Sequence, residues 1–181
     1  MLPIAVAEFN TRGYDATSME DLARAAGITK SSFYNHVSGK EGLLRAGLER
    51  ALDRLFAILE ERQAQEGAAL DRLRYIIEQQ VRVLMDELPY VTLLLRVRGN
   101  TDVERWAVAR RRAFDATIAS LVAEAVDNGE MSSDTDPWLS ARLLSGTVNS
   151  LIEWYRPGRS GTEQLPKRIV AMVSDGFVRP A

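Results

Sequence analysis

Hydroxyl, amide, imidazole and amine side chains are concentrated between residues 17 and 40, and residues 22–40 contain no acidic residue. If Phe33 faces a core, the helical period turns Ser31, Tyr34 and Asn35 towards the opposite, open face. Serine and asparagine there can hydrogen-bond base edges in the major groove of DNA, whereas lysine, tyrosine and histidine suit phosphates. The candidate contacts are Thr17, Ser18, Lys30, Ser31, Ser32, Tyr34, Asn35, His36 and Lys40.

Capping signals predict the short helices that would hold these side chains. Ser18 is a good N-cap with an acid three residues later, and Gly27 ends the helix that it starts. A second short helix over about 30–36 follows a Gly-Ile-Thr turn, which gives the layout of a helix-turn-helix. The alternative is a solvated helical hairpin with ordinary caps.

Apolar residues recur at helical spacing along the whole chain, so the sequence predicts an all-α fold of about nine helices. A helix-turn-helix domain over 1–45 is expected to precede a ligand-binding and dimerisation domain over 46–181, with the boundary inside the fourth helix. The predicted helices cover about 2–11, 19–26, 30–36, 39–65, 68–88, 90–98, 102–128, 137–156 and 163–178.

Composition narrows the possible functions. The net charge is −2, so any DNA-binding surface must be local. With no cysteine and a single histidine, most routes to catalysis, metal binding or a cofactor are closed, and none is expected. No apolar run could span a membrane, and the first nine residues lack the basic start of a signal peptide, so a cytoplasmic protein is expected. The rival classes are an enzyme and a ligand carrier without DNA binding, which the polar face of residues 30–36 disfavours.

The predicted helix over 102–128 carries an apolar stripe that is interrupted by Arg110. A charge that faces the interior needs either an acid or an anionic ligand. We therefore expect an apolar cavity for a small hydrophobic effector, with Arg110 and Asn149 as its polar groups. The expected apolar walls are Phe56, Leu59, Met85, Tyr90, Leu94, Trp106, Phe114 and Trp138.

The eighth predicted helix, over about 137–156, is apolar on two sides. One side should face its own core, and the natural partner for the other is a second subunit. The ninth, over about 163–178, offers a further apolar stripe. The sequence therefore predicts a homodimer through its eighth and ninth helices, with two recognition helices placed on a palindromic site.

Residues 13–44 closely resemble the DNA-binding region of TetR-family transcriptional regulators, in Gly13-Tyr14, Thr17, residues 23–27, Phe33-Tyr34 and His36 and residues 40–44. The resemblance implies a homodimeric repressor that a ligand releases from operator DNA, and it adds Thr29 to the DNA contacts. One departure is that no basic arm precedes the first helix, so no phosphate contact is expected from one.

Residues 154–158 with Thr162 resemble a TetR subgroup that senses acyl-CoA thioesters of fatty acids and sterols. The resemblance implies an acyl-CoA effector. The alternatives are a hydrophobic or aromatic compound without CoA, and for this segment a simple helix stop with aromatic packing.

Overall fold

The computed structural model describes residues 1–34 and 39–177, with the side chains of Lys30 and residues 173–177 left aside. Within these ranges the regular elements are all helices, so the predicted all-α class is confirmed. They are α1 (Leu2–Arg12), α2 (Met19–Ala25), α3 (Lys30–Tyr34), α4 (Lys40–Leu59), α5 (Arg62–Gln65), α6 (Ala69–Asp86), α7 (Leu88–Arg96), α8 (Asp102–Asp127), α9 (Pro137–Asn149), α10 (Leu151–Trp154) and α11 (Leu165–Phe177).

The chain divides into two compact units. Unit 1 comprises Met1–Asp53 and Glu87–Arg110, and unit 2 comprises Arg54–Asp86 and Arg111–Ala181. The helices α4 and α8 each contribute to both units, so the chain passes between them within helices. The expected division at residue 45 concerns the DNA-binding segment and stays a prediction.

In unit 1, α7 packs against α1, and Gly47 of α4 marks the closest approach. An added Cβ there would lie 3.0 Å from the Leu93 Cδ2 and 3.1 Å from the Val6 Cγ2. Asn10 of α1 joins both ends of α7. Its side-chain amide donates to the Pro89 carbonyl at 2.8 Å, and its backbone carbonyl accepts a hydrogen bond from the Arg96 guanidinium at 2.8 Å. These contacts hold α1 on α7.

In unit 2, α6 packs against α5, α9 and α11. The first turn of α6 is capped by a residue that is far away in the sequence. The Glu130 carboxylate accepts hydrogen bonds from the backbone N–H groups of Ala69 and Leu70 at 3.3 and 2.7 Å. Arg72 of α6 joins α5 to α8 by bonding the Ala64 carbonyl and the Glu124 carboxylate. The core of unit 2 therefore centres on α6.

Two helices that the sequence predicts as continuous are interrupted. The predicted helix over 39–65 is divided at residues 60–61, whose backbone N–H groups bond the carbonyls three residues earlier. The predicted helix over 137–156 is divided at Ser150, whose hydroxyl donates to the Thr147 carbonyl at 2.8 Å. A serine that bonds back onto its own helix often bends it, and here the bond coincides with the break. Periodicity does not reveal either break.

Candidate functional site

The start of α2 is fixed by a reciprocal capping box. The Ser18 hydroxyl accepts the Asp21 backbone N–H at 3.1 Å, and the Asp21 carboxylate accepts the Ser18 backbone N–H at 3.0 Å. Hydrogen bonds from the Ser18 hydroxyl and backbone, followed by the charges of Arg12 and Arg24, lower the pKa of Asp21. This network orients the N-terminus of α2 at the edge of the exposed surface.

The turn between α2 and α3 depends on Gly27, whose φ of +69° favours glycine. The Ile28 N–H returns to the Ala23 carbonyl at 3.1 Å and closes α2. The Thr29 hydroxyl then accepts the Ser32 N–H at 3.3 Å, as an N-cap does. The turn thereby sets the rotation of α3.

Packing separates a buried side of α3 from an open one. Phe33 has no exposed surface, whereas 49% of Tyr34 is exposed and Ser31 is exposed beside it. The predicted core position of Phe33 is therefore confirmed. An open concavity of about 600 Å³ next to this face is lined by Arg24, Gly27, Ile28, Thr29 and Ser32.

Sequence reasoning did not place Arg24 in the site. Its side chain is 69% exposed, and its guanidinium lies 3.5 Å from the Asp21 carboxylate. The signal was available, since Arg24 supplies a positive charge in the acid-free stretch three residues before the turn. A guanidinium there can bond a phosphate or a guanine edge.

Lys40 at the start of α4 is tied to the loop after α1. Its ammonium donates to the Tyr14 carbonyl at 2.9 Å and lies 4.2 Å from the centroid of the Tyr14 ring. That ring meets Phe9 edge to face at 5.2 Å, and burial, followed by the charge of Glu41, raises the pKa of Tyr14. Lys40 is half-buried and keeps ammonium donors for a phosphate.

The predicted DNA-contacting residues fall into three groups. Ser18, Thr29, Ser31 and Tyr34 are exposed, and Ser32 and Lys40 are half-buried. Thr17 is only 1% exposed, and its hydroxyl donates to the Gly13 carbonyl at 2.7 Å, which is an internal role. Asn35, His36 and the side chain of Lys30 lie outside the described residues.

Four of the expected effector contacts lie in unit 1. Tyr90 and Leu94 are buried, and the Arg50 guanidinium lies 4.3 Å from the Tyr90 ring centroid. Trp106 is half-buried under the Arg45 guanidinium at 3.5 Å. Arg110 is exposed, although the periodicity of α8 places it on the apolar stripe, because a long side chain can carry its charge out to solvent.

Six expected effector contacts lie in unit 2. The rings of Phe56 and Phe114 meet edge to face with centroids 5.8 Å apart, so the structure brings these two together. Trp138 is instead 62% exposed, beside the Arg142 guanidinium at 4.8 Å. Leu59, Met85 and Asn149 are half-buried.

Two polar residues of unit 2 escaped the sequence reasoning. Gln80 of α6 is 6% exposed, and its Oε1 has no hydrogen-bond partner within the ranges that the structure describes. Leaving such an acceptor unpaired costs about 1–3 kcal/mol. Asp115 of α8 accepts a hydrogen bond from the Ser145 hydroxyl at 2.8 Å, and burial raises its pKa. No motif marks either residue.

One side of α9 is apolar and open to solvent. Leu139 and Leu143 are 50% and 56% exposed, and an added Cβ at Gly146 would meet nothing within 4 Å. These three residues, at helical spacing, are termed the α9 face. On the other side Ala141, Leu144 and Val148 are buried. The prediction that this helix is apolar on two sides is therefore confirmed.

No described helix is both long and apolar enough to cross a membrane. Within the same ranges, no three acidic, histidine or cysteine side chains come together as metal ligands would.

The fold and the exposed face of α3 define a helix-turn-helix regulator, and comparisons with known proteins agree. Residues 2–46 match the model of bacterial regulatory proteins of the tetR family, and residues 66–177 match the tetracyclin repressor-like C-terminal domain. The chain therefore belongs to the TetR family of transcriptional regulators. The predicted class, a ligand-responsive DNA-binding repressor, is confirmed.

Three similar proteins illustrate the range. SCO3833, a TetR-family member from Streptomyces coelicolor A3, is 52% identical, with a TM-score of 0.88 over 96% of this chain and 86% of that one. The transcriptional repressor KstR2 from Rhodococcus jostii is 28% identical over 99% of this chain and 90% of its own. AibR, solved with isovaleryl coenzyme A and operator DNA, shares the fold at 24% identity, with a TM-score of 0.80 over 94% of each chain.

Proposed function

We propose that two copies of this chain bind one palindromic operator in the cytoplasm, repress transcription and leave the DNA when an acyl-CoA occupies each effector domain. The proposal that the chain binds DNA rests on the exposed face of α3, where Ser31 and Tyr34 are exposed to solvent and Phe33 is buried on the other side of the helix. Such a face offers hydroxyl groups to the major groove. Thr29, Ser32 and Arg24 line the adjoining concavity.

A carboxylate on this face tests the DNA-binding role. Ser31→Glu should weaken binding to a DNA fragment from upstream of the protein's own gene at least tenfold, because an anion would face phosphates. The matched control is Ser133→Glu, an exposed serine of unit 2 that should bind like the parent. Fluorescence anisotropy measures both, and equal affinity of the Ser31→Glu variant and the parent would refute the role of this face.

The effector is proposed to be a fatty or sterol-derived acyl-CoA. Support comes from the resemblance at residues 154–158, from the packed rings of Phe56 and Phe114, and from AibR, which binds isovaleryl coenzyme A. Arg110 and Asn149 are the proposed polar contacts. Release requires the ligand to prefer the conformation that does not bind DNA, and moving the ratio of conformations from 99:1 to 1:99 needs about 5.5 kcal/mol of that preference.

A thermal-shift comparison separates the proposed effector from its alternative. Octanoyl-CoA should raise the melting temperature and release the operator, whereas octanoic acid should do neither. The alternative is a hydrophobic or aromatic compound without CoA. Stabilisation by the free acid with none by the thioester would favour that alternative and exclude the CoA proposal.

We further propose that the dimer forms through α9, α10 and α11 and that the chain has no enzymatic activity. The α9 face supports the dimer, because exposed apolar side chains that cluster on one side of a helix suit an interaction site. Met172 of α11, at 61% exposed, adds to the apolar surface of unit 2. The family models support a role in regulation, because they describe bacterial regulatory proteins and a repressor-like domain.

A further inference from the structure

The buried amide of Gln80 lacks a partner for its oxygen. It lies on α6, and only 6% of its surface is exposed. Its neighbours one turn away on the same helix, Ile76, Ile77, Val83 and Leu84, are all buried and apolar. The Oε1 atom has no hydrogen-bond donor in the part of the chain that the structure describes.

Buried carbonyl oxygens in proteins are nearly always paired, so each exception needs an explanation. A residue with no functional role at this position would be expected to be apolar, as Ile76, Ile77, Val83 and Leu84 are. A polar atom among buried apolar side chains suits a ligand site, since a few placed polar groups orient an otherwise apolar ligand.

We propose that Gln80 is a ligand-binding residue whose Oε1 accepts a hydrogen bond from a neutral donor of the bound effector. The inference rests on the proposed function, because it assumes an acyl-CoA effector. An acceptor oxygen attracts a hydroxyl or an amide N–H and repels a carboxylate. The CoA part of every acyl-CoA supplies such donors, among them the amides and the hydroxyl of its pantetheine arm, and a hydroxylated acyl chain adds another.

A first experiment measures the protein without ligand. Gln80→Met replaces the amide by an apolar side chain of similar length, and Gln79→Met is the matched control on the half-buried neighbour. The melting temperature of Gln80→Met should equal or exceed that of the parent, since an unpaired acceptor is removed. A fall of several degrees below the control would show that the amide is already satisfied, and would overturn the proposal.

A second experiment titrates operator complexes of the parent and both variants with octanoyl-CoA and with 3-hydroxyoctanoyl-CoA. Gln80→Met should bind operator like the parent but need at least tenfold more effector for release, while Gln79→Met should respond like the parent. A loss with both thioesters assigns the donor to the CoA part that they share, and a loss only with the hydroxylated thioester assigns it to the acyl hydroxyl.

The remaining outcomes are distinct. If Gln80→Met responds to both thioesters as the parent does, Gln80 does not contact the effector and the proposal is wrong. The same result is expected if a buried water already satisfies the amide. If the parent itself responds to neither thioester, the acyl-CoA proposal fails, and the donor assigned to Gln80 fails with it.

Discussion

Individual side chains at the proposed DNA-binding surface divide into those that hold the structure and those that face outward. The Thr17 hydroxyl is used internally by the Gly13 carbonyl, whereas Ser31 and Tyr34 have no such burial. Lys40 combines both roles, since it holds the Tyr14 carbonyl and stands at the start of α4. Its charge and its anchoring role can be separated by mutation.

Lys40→Ala should lower the affinity for every DNA sequence and reduce the slope of log affinity against log salt by about 1, as the loss of one phosphate contact does. Lys40→Arg keeps the charge and should keep the slope. Arg62→Ala, at an exposed arginine of α5, serves as the control. The measurement is anisotropy at several salt concentrations, and an unchanged slope for Lys40→Ala would exclude the phosphate contact.

The carboxyl of Asp115 provides a prediction about pH. Burial raises its pKa in the folded protein, so the folded state binds a proton more readily than the unfolded state. Stability from this group therefore increases as the pH falls through the folded pKa, and it decreases as the pH rises. Asp115→Asn, which can still accept from Ser145, should melt higher than the parent at pH 7 and show a smaller gain on acidification. A lower melting temperature at pH 7 would contradict this.

Among the glycines of the described residues, Gly47 has the least space for a side chain, at the point where α4 meets α1 and α7. Gly47→Leu should lower the free energy of unfolding by about 1–3 kcal/mol, because the side chain would overlap Leu93 and Val6. Ala57→Leu, at an exposed position of the same helix, should change it by less than about 0.5 kcal/mol. Urea denaturation checks both, and equal stability of the two variants would disprove the close approach.

Sequence patterns predicted the helices better than their interruptions. Caps such as Ser18 with Asp21, and the turn glycine Gly27, act within a few residues and can be recognised from sequence. The break at Ser150 depends on a hydroxyl rotamer, which sequence does not specify. The same limit applies to Gln80, because sequence does not show that it is buried while the adjacent Gln79 is half-buried.

Trp138 shows that periodicity alone does not predict burial. It belongs to the same helical stripe as Ala141, Ser145 and Val148, which are buried, yet it is 62% exposed in the first turn of α9. A stripe gives the direction of a side chain but not the length over which a neighbouring helix covers it. The exposed α9 face could be predicted from sequence, because its residues recur at helical spacing on the side of the helix away from the buried stripe.

For the whole molecule, the proposed consequence of the α9 face is dimerisation. Leu143→Glu would place a carboxylate on the α9 face and should give monomers that no longer bind operator, because reading two half-sites requires two linked recognition helices. Arg62→Glu, at an exposed position of α5, should remain dimeric. Analytical ultracentrifugation at micromolar concentration decides, and a monomeric parent would refute the proposed assembly.

Operator recognition by a dimer is tested most directly by selection of binding sites from a random DNA library, followed by footprinting of the enriched sequence. A dimer that reads DNA through α3 should enrich and protect an inverted repeat, with half-site centres about 34–36 Å apart or a multiple of one helical turn. Octanoyl-CoA should abolish the footprint. Failure to enrich any sequence, or enrichment of a single half-site bound by a monomer, would contradict a dimeric repressor that reads a palindrome through α3.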